Sequence, residues 1–264
     1  MKFLLLIIFS FYSINSTSQD LVEKDLDLDL VNVKGKVKTI IETLNDTLRK
    51  KKRIFKYYFD QNTCLIEKTD HFFDGESLIK RKVFIYDNNK NILEVKSAYS
   101  SDTLSLAARY VYDKNNHLTS IDFNDNKVEY IYDKNNFLNE EIYKYPNGKI
   151  HDHNFYEKTS TGVIKYNNLY YDKQKIKGIT VLYIFTEENK ISEFKLFPIN
   201  SESEKTKKYF KYDDNGNIIE CNPFSNKSII KNDYVYDGIG NWIKKTVFKD
   251  GKIINIYDRT IEYY

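Results

Sequence analysis

The chain has 264 residues and a formal net charge of +3 from 41 basic and 38 acidic side chains. So balanced a charge gives little long-range attraction for nucleic acid. Aromatic residues make up 16% of the chain, with 23 Tyr and 17 Phe against 9 Gly and 3 Pro; tyrosine alternating with charged residues suits a sheet whose faces are only partly buried.

The chain opens with an export signal. Lys2 supplies the positive start, Phe3 to Phe11 is apolar except for Ser10, and Ser16 and Ser18 are small residues placed for cleavage before Gln19. The apolar run is shorter than the roughly 20 residues that span a bilayer, and no second run of that length follows. Residues 1–18 are thus a signal peptide, and the product is exported to a periplasm or the cell exterior. Its removal takes one of the 41 basic residues and none of the 38 acidic ones, so the net charge moves from +3 to about +2. Residues 19–30 form an N-terminal arm, where Asp25 to Leu30 alternates acidic and apolar residues; a charged strand face explains this, and an acidic calcium edge is the alternative. From residue 31 to 264 no Gly/Ser/Pro linker interrupts the chain, which reads as one repeat domain.

Within it, Arg49-Lys50-Lys51-Lys52-Arg53 falls between two strand-like segments. It reads as a solvated hairpin turn or, more sharply, as a glycan-phosphate or nucleic-acid contact. Cys64 lies in one repeat and Cys221 in another. An elongated array keeps such positions apart, so they read as two separate small core residues rather than a bridge, which needs Cα atoms within about 7 Å. Ser101 to Tyr110 carries an N-cap signal, but Leu104, Leu106, Ala108 and Tyr110 alternate at period two and predict a strand.

The main feature is a recurring Tyr-Asp pair followed by an Asn/Gly-rich turn. It occurs at Tyr86-Asp87, Tyr112-Asp113, Tyr132-Asp133, Tyr212-Asp213 and Tyr236-Asp237. Degenerate copies sit at Tyr58-Phe59-Asp60, Tyr171-Asp172 and Phe185-Thr186. Before the turn, Val128, Tyr130 and Tyr132 share one strand face. Asp then accepts backbone N–H bonds within the turn, and Asn or Gly supplies left-handed backbone. Phe137 to Tyr145 reads as the return strand, and Pro146 to Lys149 as the next turn. The pattern predicts an all-β fold in which tandem antiparallel hairpins form one extended, curved sheet, with exposed end strands protected from edge pairing.

These residues resemble the YD-repeat, or RHS-repeat, family, whose motif is Tyr-Asp-x-x-Gly-Asn. Tyr212-Asp213-Asp214-Asn215-Gly216-Asn217 and Tyr236-Asp237-Gly238-Ile239-Gly240-Asn241 match it; the other copies place Asn or Lys where the family has Gly. The ending, from Asn241-Trp242 through Asp250-Gly251-Lys252 to Arg259 and Tyr263, is similar to small exported members from Bacteroidetes-type bacteria. In large members the repeats form a shell around a toxic C-terminal domain, and the family has been linked with carbohydrate binding. The resemblance implies a β-repeat fold and a binding surface; partnership in a toxin system is one alternative it carries.

No nucleophile elbow, P-loop, dinucleotide fingerprint or His-Glu-x-x-His sequence is present. An aspartate recurring at every turn is explained by turn chemistry, whereas a hydrolase needs one pair of carboxylates in a single constellation. His151 and His153 share a strand face and are candidate ligand-binding residues; with a third ligand they suit a metal, though an exposed polar strand explains them as well. His117 sits at a turn position that holds Phe137 or Ile218 in other repeats, and His71 is isolated. Trp242 is a candidate sugar-stacking residue or a cap on the core. Asp213 to Asn217 lacks the distal glutamate of a calcium loop. The reading is of an exported, non-enzymatic scaffold or binding surface for an envelope glycan or protein, with no cofactor, no nucleic acid and no membrane span; a carboxylate-dependent hydrolase is the enzymatic alternative.

Overall fold

A computed structural model describes residues 33–264 except 73–76, 101, 124–125, 160–161, 172–173, 187–189, 198–205 and 223–227; for 166–171, 174–179, 194 and 206 only the backbone is considered. The signal peptide and N-terminal arm lie outside the described residues. These residues form strands and turns with no helix, and therefore none long and apolar enough to cross a membrane.

The strands are β1 (Val37–Asp46), β2 (Lys51–Phe59), β3 (Leu65–His71), β4 (Leu78–Tyr86), β5 (Ile92–Tyr99), β6 (Ser105–Tyr112), β7 (Leu118–Phe123), β8 (Asn126–Tyr132) and β9 (Leu138–Lys144). They continue as β10 (Ile150–Lys158), β11 (Gly162–Tyr171), β12 (Gln174–Phe185), β13 (Ile191–Phe197), β14 (Thr206–Tyr212), β15 (Ile218–Cys221), β16 (Ile230–Tyr236), β17 (Trp242–Lys249) and β18 (Lys252–Tyr263).

Each strand pairs with its successor in a single 18-stranded sheet, and β1 also pairs with β18. The fold is a closed antiparallel β-barrel. This corrects the expectation of one extended, curved sheet: β1 lies antiparallel to β18 from Val37↔Tyr263 to Asp46↔Asn255. The physical reason is edge management. An open array leaves two edge strands with unpaired N–H and C=O groups, whereas pairing first with last removes both. Closure is pinned at its start. The Lys34 amide donates to Asn241 Oδ1 at 2.5 Å, Asn241 Nδ2 returns a bond to the Lys34 carbonyl at 2.7 Å, and the Tyr264 amide donates to the Lys36 carbonyl at 2.9 Å.

The turns explain why this sequence makes hairpins. In the β8–β9 turn the Asp133 amide donates to the Phe137 carbonyl and the Asn136 amide to the Asp133 carbonyl, at 2.9 and 3.0 Å. Asp133 Oδ1 accepts from the amides of Asn135 and Phe137 at 2.7 and 2.9 Å. The same backbone pair of bonds recurs at Asp60, Asp87, Asp113, Asp213 and Asp237. The third residue after each aspartate is left-handed: Thr63, Lys90, Asn116, Asn136, Gly216 and Gly240, with φ from 62° to 92°. Only Gly adopts that region without cost, and Asn tolerates it better than most, so the glycine of the motif is a backbone requirement.

A bulge follows the Asp133 turn. Tyr132 pairs with Leu138 but Ile131 with Glu140, so Asn139 is the extra residue. The same shift leaves Ile66, Leu93, Thr119, Ser192 and Ile243 bulged. Thr119 and Ser192 use that position alike, each donating its hydroxyl across the hairpin, to the carbonyls of Val111 and Ile184. The turn Pro146–Lys149 is a further copy: the Tyr145 amide donates to Lys149, Gly148 to Tyr145, and Gly148 has φ +77°. His151 is its bulged residue. This register also corrects one equivalence: His117, four residues after Asp113, matches Phe137 and Asn217, not Ile218.

The tyrosines tie hairpin to hairpin. Tyr236 and Tyr263 donate their hydroxyls to Asp213 and Asp237 of the preceding turns. Tyr86 and Tyr132 reach back to the carbonyls of Leu65 and Leu118, at 2.8 and 3.1 Å. The Tyr thus joins consecutive repeats as well as anchoring its strand.

The chain divides into two compact units, described here by residues 108–210 and by residues 33–107, 211–222 and 228–264. The first holds a core of Tyr156, Val163, Val181, Tyr183 and Ile191. The second holds a core of Val37, Ile40, Tyr57 and Phe59.

Candidate functional site

The residues singled out in the sequence lie in different surroundings. Trp242 opens β17 directly after the Asp237 turn and is only 5% exposed. The Arg259 guanidinium lies 3.2 Å from its ring centroid, and Tyr234 meets it edge-on at 6.1 Å. Arg259 Nε in turn donates to Glu42 Oε2 at 2.7 Å; its Nη2 lies equally close to that oxygen, near enough for charge pairing but not aligned to donate. Trp242 is therefore built into the second unit's core beneath a buried ion pair.

His153 and His151 sit on β10 in the first unit. His153 Nε2 lies 2.7 Å from Glu140 Oε2, and its ring packs 4.0 Å from Phe155. His151, aimed by the bulge, rests against Tyr145 at 4.6 Å and Tyr143 at 5.8 Å. Burial lowers the His151 pKa, outweighing the attraction of Asp152, so its ring is neutral at pH 7. Tyr145 is about half exposed. Tyr145 and His151 make an accessible aromatic pair beside a tight turn, whereas His153 is occupied by Glu140. The described residues contain no group of three His, Cys, Asp or Glu side chains placed to hold a metal.

Two polar clusters escaped sequence reasoning. On β9, Glu141 is 1% exposed, and its Oε2 accepts from Tyr156 Oη at 2.5 Å and Asn154 Nδ2 at 2.9 Å, with Lys165 Nζ at 3.6 Å. Burial, reinforced by the Glu141 charge, pushes the hydroxyls of Tyr156, Tyr183 and Tyr132 far above the usual tyrosine range. The cluster holds its tyrosines protonated around one carboxylate. Glu42 with Arg259 is the second. The signal for Glu141 was present only in register: it lies opposite Tyr130, on the face shared with Val128 and Tyr132.

The motif aspartates are committed to turns. Burial alone would raise Asp237, but the Tyr263 hydroxyl and the amides of Asn241, Ile239 and Gly240 outweigh it and hold the carboxyl below its usual range. Asp87 and Asp113 are lowered in the same way by their own turns. His117 Nδ1 lies 3.1 Å from Asp113 Oδ2 and its ring stacks on Tyr132 at 5.1 Å. Cys64 and Cys221 are both half-buried, and no disulfide joins them. The basic run Arg49 to Arg53 forms the β1–β2 tip and the start of β2, with Arg53 paired to Asp70.

No protein-family model matches the chain, and no curated protein matches it significantly. Among solved structures, it is similar to a porin-like protein from Bacteroides uniformis, at 11% identity and TM-score 0.45 over 87% of this chain and 98% of that one. A porin-like protein from Bacteroides vulgatus gives 12% identity and TM-score 0.46 over 75% and 98%. A TcdB2-TccC3 structure gives 13% identity and TM-score 0.38 over 77% of this chain and 10% of that one. Likeness at this level carries neither function nor location across to the chain.

Proposed function

We propose that the chain is an exported, non-enzymatic β-repeat protein that serves as a scaffold and binding surface at the cell envelope, and that its hairpins are kin to YD repeats. The observation that carries this is the sheet face opposite the motif tyrosines. It bears cross-strand ion pairs on hairpin after hairpin: Arg81 with Glu67, Lys144 with Glu129, and Lys207 with Glu193. The same face exposes Val111, Ile131 and Val235, but each has a charged residue two places before it on that strand face, Arg109, Glu129 and Asp233; a barrel embedded in lipid instead presents a tall outward apolar band there, so this face suits water. The kinship rests on the left-handed position of the turns, which falls where the YD motif has Gly. Against a hydrolase, the described turn carboxylates bind their own backbone, Glu141 is held by Lys165, Tyr156 and Asn154, and Glu42 is held by Arg259.

For the ligand, the reading favours an envelope glycan at Tyr145 and His151, because an exposed aromatic ring beside a neutral imidazole offers an apolar face with a polar edge to a sugar. The test is retention of the chain beginning at Gln19 on peptidoglycan and surface polysaccharides, compared with Tyr145→Ala. Retention lost in the variant is the expected result. No retention on any glycan removes the glycan and leaves a protein partner.

A further inference from the structure

We infer that the adjoining β1–β2 and β17–β18 hairpin tips of the second unit dock onto an anionic lipid surface. The two tips are physically joined: the Thr47 amide donates to the Ile254 carbonyl at 3.0 Å and its hydroxyl to the Ile253 carbonyl at 2.9 Å. Beside them the Ile229 amide donates to Asp250 Oδ1 at 3.0 Å and the Asp250 amide returns a bond to Ile229. Three aliphatic side chains project from this joined edge, Leu48 at 70% exposure and Ile229 and Ile253 at 44% each. Around them Arg49, Lys50, Lys51, Lys52, Lys249 and Lys252 are all exposed.

The acidic groups within the two tips are engaged locally. Asp46 Oδ1 accepts from the amides of Leu48 and Arg49, and Asp250 holds Ile229. Against these two carboxylates stand the basic side chains of Arg49, Lys50, Lys51, Lys52, Lys249 and Lys252, so the tip presents net positive charge around an apolar point. Leu48 stands at the apex of a tight turn, where no folding requirement explains an aliphatic residue. A bilayer with anionic headgroups offers both halves of the complement, a negative surface for the lysines and an acyl boundary for Leu48. An acidic polysaccharide offers only the first half. This docking is peripheral and coexists with a water-facing barrel.

The experiment is flotation of the chain beginning at Gln19 with vesicles of phosphatidylcholine alone and of phosphatidylcholine mixed with phosphatidylglycerol, at low and high salt. Binding is expected to the mixed vesicles only and to weaken with salt. Each lost lysine should weaken it by about fivefold, so Lys50→Gln, Lys51→Gln and Lys52→Gln together reduce it by roughly a hundredfold. Leu48→Ser with Ile253→Ser should reduce it by at least about tenfold, with an unchanged thermal midpoint showing that the fold is intact. Equal binding to both vesicle types, or none to either, overturns the inference. So does capture by dextran sulfate together with vesicle binding that ignores Leu48→Ser, which assigns the tip to soluble polyanions. Loss of glycan retention in Tyr145→Ala bears on the proposed function alone.

Discussion

Glu141 and Glu42 are both buried carboxylates facing a buried cation, but the two units assemble them by different routes. Glu141 draws its donors from the strands that follow it, with Asn154 and Tyr156 on β10 and Lys165 on β11. Glu42 meets Arg259 across 217 residues, from the first strand to the last. One cluster forms as soon as neighbouring hairpins stack; the other exists only when β1 pairs with β18. The first therefore consolidates repeats, and the second reports closure.

Removing one cation from each cluster breaks the comparison most directly. Arg259→Met leaves Glu42 buried without its charge partner and uncovers the Trp242 ring; such a loss costs about 3–5 kcal/mol. Lys165→Met is expected to cost less, about 1–3 kcal/mol, because Tyr156 and Asn154 still donate to Glu141. Urea unfolding of the two variants gives the order. In the second unit the paired replacement Glu42→Leu with Arg259→Met should recover most of the loss, since exchanging a buried pair for apolar residues is often neutral. An equal cost for Lys165→Met and Arg259→Met would sink the distinction between the two routes.

The tyrosine links come next in size. Tyr263→Phe removes the hydroxyl that joins Asp237 to the closing strand, and Tyr132→Phe removes a bond to a neutral carbonyl. A hydrogen bond to a charged group is worth about 1.5–3 kcal/mol and a neutral one about 0.5–1.5 kcal/mol. Tyr263→Phe should therefore be the more destabilising in thermal melts, and its excess should depend on pH. Asp237 is held below its ordinary pKa in the folded state, so its contribution is present above the unfolded carboxylate value near 4 and is lost as pH falls through the lower folded value. The gap between the two variants should accordingly narrow in acid. A gap that stays constant between pH 7 and pH 2 would show that Asp237 is not the acceptor that matters.

Much of the hairpin was legible in the residues. Asp followed three places later by Gly, Asn or Lys states the turn, and the alternation of Val128, Tyr130 and Tyr132 states the strand. Closure was not legible, because nothing local in Val37–Asp46 distinguishes a partner in β18 from one in any other strand; only the long-range register does. Glu141 was hidden for the same reason, since its face depends on the bulge at Asn139, which shifts Glu140 and Glu141 relative to a simple count of two. His151 was legible as a candidate, but its aim against Tyr145 follows from the bulge. Trp242 was read as a core cap ahead of a ligand platform; the Arg259 guanidinium over its ring is a tertiary contact from a strand that the turn motif does not announce.

The smallest effect tests whether a degenerate copy is the same device as the full motif. At Phe185-Thr186 the Thr186 amide donates to the Lys190 carbonyl at 2.7 Å, as Asp133 does to Phe137, but Thr186 Oγ1 receives the Lys190 amide only at 3.2 Å. A carboxylate oxygen at that place accepts the same amide closer, as Asp133 Oδ1 does at 2.9 Å while also taking the Asn135 amide. Thr186→Asp should therefore stabilise the first unit by about 0.5–1.5 kcal/mol, the net worth of one better hydrogen bond, read as a raised urea midpoint. The converse change, Asp133→Thr, should lose a similar amount. Matching gain and loss would make the two turns one interchangeable part; a loss at Asp133 without a gain at Thr186 would mean that the β12–β13 connection has settled on its own geometry and that the repeat is preserved there in strand register alone.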